Sequence, residues 1–199
     1  GDAVEPLDGR YRPAEELGST SEDMLVVGER TAHVFGLPDA VGGSGEPAGP
    51  TSLGVYESLL ATLEQVTGSA EVSGRRITIS GLGQVGSRLA VRLSTEGAEL
   101  TVTDVNPAKR TLATELGARW AEPGTEHLIE ADVFVPAGVG GAVGDGVIHA
   151  LAPPAACGPG PNPPPPTAGG HRPAARRLPY APPSARYPRR GVYPQHARE

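Results

Sequence analysis

One stretch near the middle of the chain constrains its fold more than any other. Residues 77–86 read Ile-Thr-Ile-Ser-Gly-Leu-Gly-Gln-Val-Gly, and residues 87–93 continue with the pattern of a helix. This is a Gly-x-Gly-x-x-Gly fingerprint placed directly after a predicted strand and at the start of a predicted helix. In such a fingerprint Gly81 permits a tight turn, Gly83 lets the backbone approach a pyrophosphate, and Gly86 lets helix and strand pack closely.

The residues after this helix favour NAD as the dinucleotide. Residues 99–103 predict a second strand, and Asp104 follows it, 18 residues after Gly86. An acidic residue at this place binds the ribose hydroxyls of NAD, and it would repel the 2′-phosphate of NADP. Lys109 and Arg110 fall in the next predicted helix, where contact with a phosphate is the less favoured interpretation. A chance glycine turn is also less favoured, because strand, glycines, helix, strand and acid occur in register.

The remaining pattern predicts an α/β fold with a Rossmann-type parallel sheet and helices on both faces. Pro107 suits a first helical position, and Gly117 ends that helix. Residues 131–136 predict a further buried strand, which leads into the small-residue loop 137–141. A loop at the carboxyl end of a parallel strand is where a ligand lies in an open α/β sheet. Residues 146–151 predict a last helical turn.

Two helices are predicted ahead of the fingerprint. Thr20 and Asp23 form a capping-box pattern, and apolar spacing extends that helix as far as Gly36. A glycine-rich loop follows at 41–47. Residues 50–51 then open a second helix, which has one apolar face and ends at Gly68.

Composition divides the 199 residues into unlike parts. Residues 1–150 carry 10 basic and 22 acidic side chains, whereas residues 151–199 carry seven Arg, one Glu and 14 of the 22 prolines. Such a tail forms neither a helix interior nor a central strand. It is a disordered basic tail, a polyproline ligand, or the product of a wrong reading frame, and we favour the last. We therefore predict a remnant of a substrate domain with its hinge over 1–48, an NAD-binding Rossmann domain over 49–152, and a disordered or out-of-frame tail over 153–199.

Several classes of function and location are disfavoured. The net charge of −6 argues against nucleic acid as a partner. No leader peptide and no apolar run of membrane-spanning length are visible. The single cysteine, Cys157, argues against a disulfide framework, and the five histidines show no metal spacing, so we predict no metal. We expect a cytoplasmic protein.

Taken together, these motifs resemble the Glu/Leu/Phe/Val (amino-acid) dehydrogenase family, and within it the leucine, valine and phenylalanine branch. The similarity covers about residues 1–150, with several unrelated motifs in the order of the family. The matching stretches are residues 9–11, 14–20, 22–24, 43–47, 51, 54–56, 81–86, 103–106, 132–136 and 140–141.

The resemblance implies a two-domain homo-oligomeric enzyme that reversibly deaminates an L-amino acid to its 2-oxo acid by hydride transfer to NAD. It assigns Thr51 to the nicotinamide carboxamide, although the residue itself reads equally well as a helix N-cap. It places Pro136 and Ala137 beside the nicotinamide ribose and puts Glu16 at the position of the catalytic aspartate. The expected cofactor-binding residues are Gly81, Leu82, Gly83, Gln84, Val85, Gly86, Asp104, Thr51, Pro136 and Ala137.

Three departures from the family lead us to expect NAD binding without turnover by this chain alone. The two catalytic lysines of the family belong to a segment ahead of residue 1, and the single lysine, Lys109, cannot replace them. Glu16 has a longer arm than the aspartate of the family, and a misplacement of about 1 Å can cost on the order of a hundredfold in rate. The Asn-Asn motif that follows the nucleotide strands in the family is absent.

Three hypotheses follow. The first is a piece of an amino-acid dehydrogenase. The second is a non-catalytic NAD(H)-binding module, and the third is an interaction protein that acts through its Pro/Arg-rich tail.

Overall fold

The computed structural model describes residues 1–16, 18–139, 145–159 and 180–181. The chain divides into two compact units, Gly1–Pro50 and Thr51–Glu199. Within the described residues, no helix combines the length and the apolar character needed to cross a membrane.

The first helix confirms the predicted start but not the predicted end. Helix α1 covers Ser21–Gly28, and both hydrogen bonds of the capping box form: Asp23 N donates to Thr20 Oγ1 at 3.3 Å, and Thr20 N donates to Asp23 Oδ2 at 2.8 Å. The continuation to Gly36 is wrong. A glycine at position 28 weakens the helix, and the Thr31 hydroxyl accepts a hydrogen bond from the backbone N–H of His33 at 3.1 Å, a local turn that competes with helix.

Helix α2 covers Ala48–Thr67 and buries the predicted apolar face, with Val55, Leu59 and Leu63 fully buried. It begins two residues before Pro50. The chain leaves it through Gly68, whose φ of 78° lies in the left-handed region that favours glycine.

All strands of the second unit run parallel in one sheet of order β3-β2-β1-β4-β5-β6. The strands are β1 Arg76–Ser80, β2 Glu99–Thr103, β3 Arg119–Trp120, β4 Val133–Pro136, β5 Ala156–Cys157 and β6 Tyr180–Ala181. The helices between them are α3 Gln84–Thr95, α4 Arg110–Glu115 and α5 Asp145–Ala150. The order 3-2-1-4 of the first four strands is that of a dinucleotide-binding sheet, so the predicted α/β Rossmann-type class is confirmed.

The core lies between β1, β2 and β4 and the helices α2 and α3. Its fully buried side chains include Ile77 and Ile79 of β1 and Leu89 and Leu93 of α3. Full burial of one such side chain contributes about 1.5–3 kcal/mol. This packing holds the carboxyl end of β1 and the start of α3 in a fixed relation, which is where the glycine fingerprint lies.

A polar cluster joins α2 to α3 at the edge of this core. The Tyr56 hydroxyl donates to Glu96 at 2.7 Å, and Arg92 Nε donates to the other oxygen of Glu96 at 3.1 Å. The Arg92 guanidinium also lies 3.5 Å from the centre of the Tyr56 ring. Burial, followed by the hydrogen bond to Glu96, raises the pKa of Tyr56.

Strand β5 corrects the expectation that strand structure stops after Leu151. Ala156 pairs with Phe134 of β4, and Ala155, Ala156 and Cys157 are buried. The next residue, Gly158, packs so closely that an added Cβ would lie 2.6 Å from the carbonyl oxygen of Pro136. The start of the expected tail is thus part of the sheet. Residues 160–179 and 182–199, on which the predicted disorder or frame error mainly falls, lie outside the described residues.

Cys157 offers a test of this placement. Burial raises the pKa of its thiol from 9.0 to about 12, against a smaller opposite effect of a hydrogen bond with Thr62. Reaction with a thiol reagent requires the thiolate, so we expect the folded protein at pH 8 to resist labelling by dithionitrobenzoate and the unfolded protein to react at once. Rapid labelling of the folded chain would contradict the buried strand.

The same shift predicts a pH dependence of stability. Between pH 9 and pH 12 the folded thiol keeps a proton that the unfolded thiol has lost, so the unfolding free energy should fall as the pH rises. Cys157→Ala is the control, because it should remove this contribution from the slope measured by urea unfolding.

Candidate nucleotide-binding site

The turn after β1 is so tightly packed that its first residue, Gly81, must be a glycine. The Gly81 N–H donates to the carbonyl of Thr103, the last residue of β2, at 2.8 Å. Gly81 has a φ of 104°, and an added Cβ would lie 2.6 Å from the backbone nitrogen of Gly138. Both the conformation and the space therefore exclude a side chain here.

The other two glycines of the fingerprint differ in the space around them. An added Cβ at Gly86 would overlap the carbonyl oxygen of Gly81, so helix α3 packs directly on the turn. At Gly83 an added Cβ would meet no atom of the described residues within 4 Å. Gly86 is thus required by packing inside the protein, whereas Gly83 is open on the side where a ligand would approach.

The start of α3 supplies hydrogen-bond donors to that open side. The first N–H groups of a helix have no acceptor within the helix, and the N-cap, Gly83, provides no side chain that could accept from them. Gln84, Val85 and Gly86 form this first turn. Backbone N–H groups at the positive end of a helix dipole bind phosphate.

Asp104 lies directly after β2, and its carboxylate is hydrogen-bonded to the turn after β1. Its Oδ2 accepts from the N–H of Leu82 at 2.7 Å, and its Oδ1 accepts from the N–H of Asn106 at 2.8 Å. Each carboxylate oxygen can accept a second hydrogen bond, so this half-buried group can still accept from ribose hydroxyls. The side chain of Leu82 is fully buried, and the part that Leu82 plays at the site is that of its backbone N–H.

The end of β4 completes the edge of the sheet. Pro136 pairs with Ser80 of β1, and the Ala137 N–H donates to the Ser80 carbonyl at 2.7 Å. The Ala137 Cβ lies 3.2 Å from the position that a Cβ on Gly86 would take. The predicted residues of the fingerprint, Asp104, Pro136 and Ala137 are therefore brought together at the carboxyl ends of β1, β2 and β4. Gly140 and Gly141 lie outside the described residues.

The remaining two predicted residues, Thr51 and Glu16, come before strand β1 in the sequence. Thr51 lies in the first turn of α2 rather than ahead of it, so its interpretation as the N-cap is wrong. Glu16 has an exposed side chain, and its backbone is fixed by Ser19, whose Oγ accepts from Glu16 N at 2.8 Å and donates to Glu16 O at 3.0 Å.

The neighbouring carboxyl, Glu15, is not among the residues predicted for the site. Both of its oxygens are shielded from solvent and have no hydrogen-bond partner among the described residues, whereas the side chain of Glu16 is exposed. Burial raises the pKa of Glu15, and the charges of Glu46 and Glu22 raise it further. Glu15 and Glu46 are 31 positions apart, so no local spacing reveals their proximity.

A second residue that the sequence did not indicate, Glu126, stabilises the strand end that leads into the turn. It lies in a 3₁₀ helix, Glu126–Leu128, and is 8% exposed. One oxygen accepts from the hydroxyl of Ser80, the last residue of β1, at 2.7 Å, and the other accepts from the Gly124 N–H at 2.6 Å. This carboxylate ties the segment before β4 to the residue that precedes Gly81.

We expect Glu126→Ala to lower the unfolding free energy by about 3 kcal/mol, because a buried donor that loses its acceptor costs about 1–3 kcal/mol. The measurement is urea unfolding followed by circular dichroism. Glu122→Ala is the matched control: Glu122 pairs with Arg110 at the surface, and such pairs contribute about 0–1 kcal/mol. Equal losses in the two variants would contradict the supporting role of Glu126.

As a whole, the edge fits a dinucleotide. It combines a turn without side chains, an open approach at Gly83, the amide donors of α3 and an anchored acid at Asp104. In the described part of the chain, no group of three His, Cys, Asp or Glu side chains is arranged to hold a metal ion.

Known proteins are similar to this chain in both sequence and fold. No protein-family model matches the chain. Leucine dehydrogenase from Thermoactinomyces intermedius is 36% identical over 149 residues, which are 74% of this chain and 41% of that protein. Phenylalanine dehydrogenase from Lysinibacillus sphaericus is 34% identical over 157 residues, 76% of this chain and 41% of that protein.

A crystal structure shows the same relation. That of L-tryptophan dehydrogenase from Nostoc punctiforme matches with a TM-score of 0.62 at 28% identity, over 81% of this chain and 45% of that one. The chain spans about 41% of the length of the curated relatives it matches. Its sequence and its fold agree in this likeness: leucine and phenylalanine dehydrogenases are homologues of the chain, and its structural neighbours include an amino-acid dehydrogenase.

Proposed function

We propose that this chain is the nucleotide-binding part of an NAD-dependent amino-acid dehydrogenase, which reversibly converts an L-amino acid to its 2-oxo acid. The carrying observation is the anchored turn, in which Asp104 accepts from the Leu82 N–H at 2.7 Å while the space at Gly83 stays open. Its relatives are named as dehydrogenases of leucine and phenylalanine. The NAD cofactor supplies a hydride acceptor.

Within this proposal the residues at the sheet edge have separate tasks. The backbone of residues 81–86 binds the pyrophosphate, because the first amides of α3 are open to it. Asp104 binds the adenosine ribose. Pro136 and Ala137 border the nicotinamide ribose, and Thr51 contacts the carboxamide. These residues hold the cofactor in place and carry out no bond making themselves.

Glu16 is proposed as the group that moves a proton on the amino-acid side. Its carboxylate is exposed, and the short turn closed by Ser19 fixes its backbone. The half-buried Glu15 beside it has a raised pKa, so the two adjacent carboxyls differ in environment. A difference of this kind is common where one group holds a proton and the other accepts one.

The alternative is a non-catalytic NAD(H)-binding module. It is favoured because the described residues of the nucleotide edge come together within this chain, whose sequence contains Lys109 as its single lysine. The proposed domain limits (1–48, 49–152 and 153–199), the homo-oligomer and the cytoplasmic location stay predictions under either function.

Two measurements test the proposal. Titration of the chain with NADH, followed by the enhancement of nicotinamide fluorescence, should show saturable binding that ADP-ribose displaces, and absence of binding would overturn both functions. The gene product that includes the flanking coding sequence is then assayed with NAD and a panel of aliphatic and aromatic L-amino acids. NADH formation supports the dehydrogenase, and binding without turnover supports the module.

A further inference from the structure

Glu126 is a buried acid whose hydrogen-bond partners are both neutral. It is 8% exposed, and its two oxygens accept from the Ser80 hydroxyl at 2.7 Å and from the Gly124 N–H at 2.6 Å. A carboxyl group that accepts at both oxygens is in its ionised form. In the part of the chain that the structure describes, no Lys, Arg or His side chain forms an ion pair with it. The hydrogen bonds therefore hold a negative charge in place without cancelling it.

This charge lies at the junction of β1 and β4. Ser80, which donates to Glu126, pairs with Pro136 of β4, and the Ser80 carbonyl accepts from the Ala137 N–H at 2.7 Å. Two hydrogen bonds with a single residue between them thus connect the carboxylate to Ala137. The carboxylate is fixed behind the end of β4 and does not itself reach the open side of the turn.

The junction of β1 and β4 is where the two halves of a dinucleotide diverge. The strand order 3-2-1-4 changes its direction between β1 and β4, and a dinucleotide lies across such a point. Within the proposed function, the adenosine half extends toward Asp104 after β2. The nicotinamide half then extends toward Pro136 and Ala137, which is the side on which Ser80 connects to the Glu126 carboxylate.

The two redox forms of the cofactor differ in charge in this half alone. The oxidised nicotinamide ring carries a positive charge and the reduced ring is neutral, whereas the adenosine and the pyrophosphate are the same in both forms. Any effect of Glu126 on the phosphates therefore cancels when the affinities for NAD⁺ and NADH are compared. Between unit charges about 10 Å apart, at an effective dielectric constant of about 20 to 40, the Coulomb interaction changes a binding constant about four- to sixteenfold. Salt screens a buried charge less than an exposed one.

We propose that the Glu126 carboxylate raises the affinity of the nucleotide edge for NAD⁺ relative to its affinity for NADH. The inference rests on the proposed function, because it concerns the redox form that binds at that same edge. Glu126 acts through its charge, across Ser80, and its hydrogen bonds to Ser80 and Gly124 keep that charge at the nicotinamide side.

The test is the ratio of the dissociation constant of NAD⁺ to that of NADH, measured by isothermal titration calorimetry on the chain and on Glu126→Gln. Glutamine has the size of glutamate and lacks its charge, so we expect this ratio to rise at least about threefold. Glu126→Met removes the charge together with both acceptors and should raise the ratio by a similar factor. Because either variant removes the charge, the ratio is measured on whichever of the two circular dichroism shows to be folded.

Two control variants keep the Glu126 charge. Ser80→Ala removes the hydrogen bond that links Glu126 to the end of β1, so it should weaken the binding of both redox forms and leave their ratio within about twofold. Glu122→Gln removes an exposed carboxylate that pairs with Arg110 at the surface, and it should change neither dissociation constant. The first control separates the charge of Glu126 from its hydrogen bond, and the second separates a buried charge from an exposed one.

An unchanged ratio in the folded Glu126 variants would overturn the proposal, because the residue would then act through the position of Ser80 alone. A rise of the same size in Ser80→Ala or in Glu122→Gln would overturn it as well. Failure of both NAD⁺ and NADH to bind the unaltered chain would instead refute the proposed function, and the role of Glu126 with it.

Discussion

Gly83→Ala should lower the affinity for NADH by about a hundredfold without lowering the stability of the protein. Among the residues that the structure describes, an added Cβ at this position meets no atom within 4 Å, and the backbone, at φ −69° and ψ −163°, is one that alanine adopts without strain. The same methyl group would stand where the pyrophosphate must approach the amides of α3. Loss of one or two charge-assisted hydrogen bonds, each about 1.5–3 kcal/mol, accounts for the expected factor.

Two further glycine variants make this result specific. Gly86→Ala should lose NADH binding together with about 1–3 kcal/mol of stability, because its Cβ would overlap the Gly81 carbonyl inside the protein. Gly146→Ala in α5 should change neither property adversely, since an added Cβ there also meets nothing within 4 Å. Fluorescence titration and thermal unfolding of all three variants distinguish the cases. If Gly83→Ala bound NADH as well as the unaltered chain, the open face would not be the cofactor site.

The nucleotide edge could be predicted from the sequence because its chemistry is local. The positions of Gly81, Gly83 and Gly86 fix a turn and a helix start within ten residues, and the packing of the turn itself requires a glycine at Gly81 and at Gly86. Asp104 was predictable for a related reason: a strand of regular length carries it to the same edge as the turn. The structure shows the close packing at Gly81 and Gly86, and it places Asp104 beside the turn with its carboxylate bonded to the Leu82 N–H.

Long-range contacts explain what the sequence did not reveal. Glu126 reads as one more charge in a loop, and its role depends on Ser80, 46 positions earlier. Strand β5 is two residues of Ala and Cys in a proline-rich stretch, and it becomes a strand because Phe134 of β4 pairs with Ala156. A pattern along the chain contains none of these pairings.

Asp104→Ala should weaken NADH binding by about a hundredfold, and for two reasons that can be separated. The carboxylate is expected to accept hydrogen bonds from the ribose, and it also anchors the turn through the Leu82 N–H at 2.7 Å. Asp104→Asn keeps one oxygen that can accept from a backbone N–H, so it should retain more of the turn geometry and lose an intermediate amount of affinity. Isothermal titration calorimetry with NADH and with ADP-ribose measures the loss of affinity in each of the two variants.

A matched control exists at the opposite end of the sheet. Asp132 precedes β4, and its Oδ2 accepts from the Arg76 N–H at 2.9 Å, so it also ties a carboxylate to the backbone of a neighbouring strand. Asp132→Ala should lower stability but leave NADH binding unchanged in the folded protein, because it lies at the amino ends of the strands. Equal losses of affinity at positions 104 and 132 would mean that Asp104 acts through stability alone.

The charge of Asp104 should also affect the affinity for NADH relative to the affinity for NADPH. Removing a carboxylate next to the ribose takes away both an acceptor for the 2′-hydroxyl and a charge that repels a 2′-phosphate. Asp104→Asn should therefore lower NADH affinity more than NADPH affinity, and the ratio between them should move toward NADPH. Fluorescence titration with NADH and with NADPH measures this ratio, and an unchanged ratio would contradict a contact of the carboxylate with the ribose.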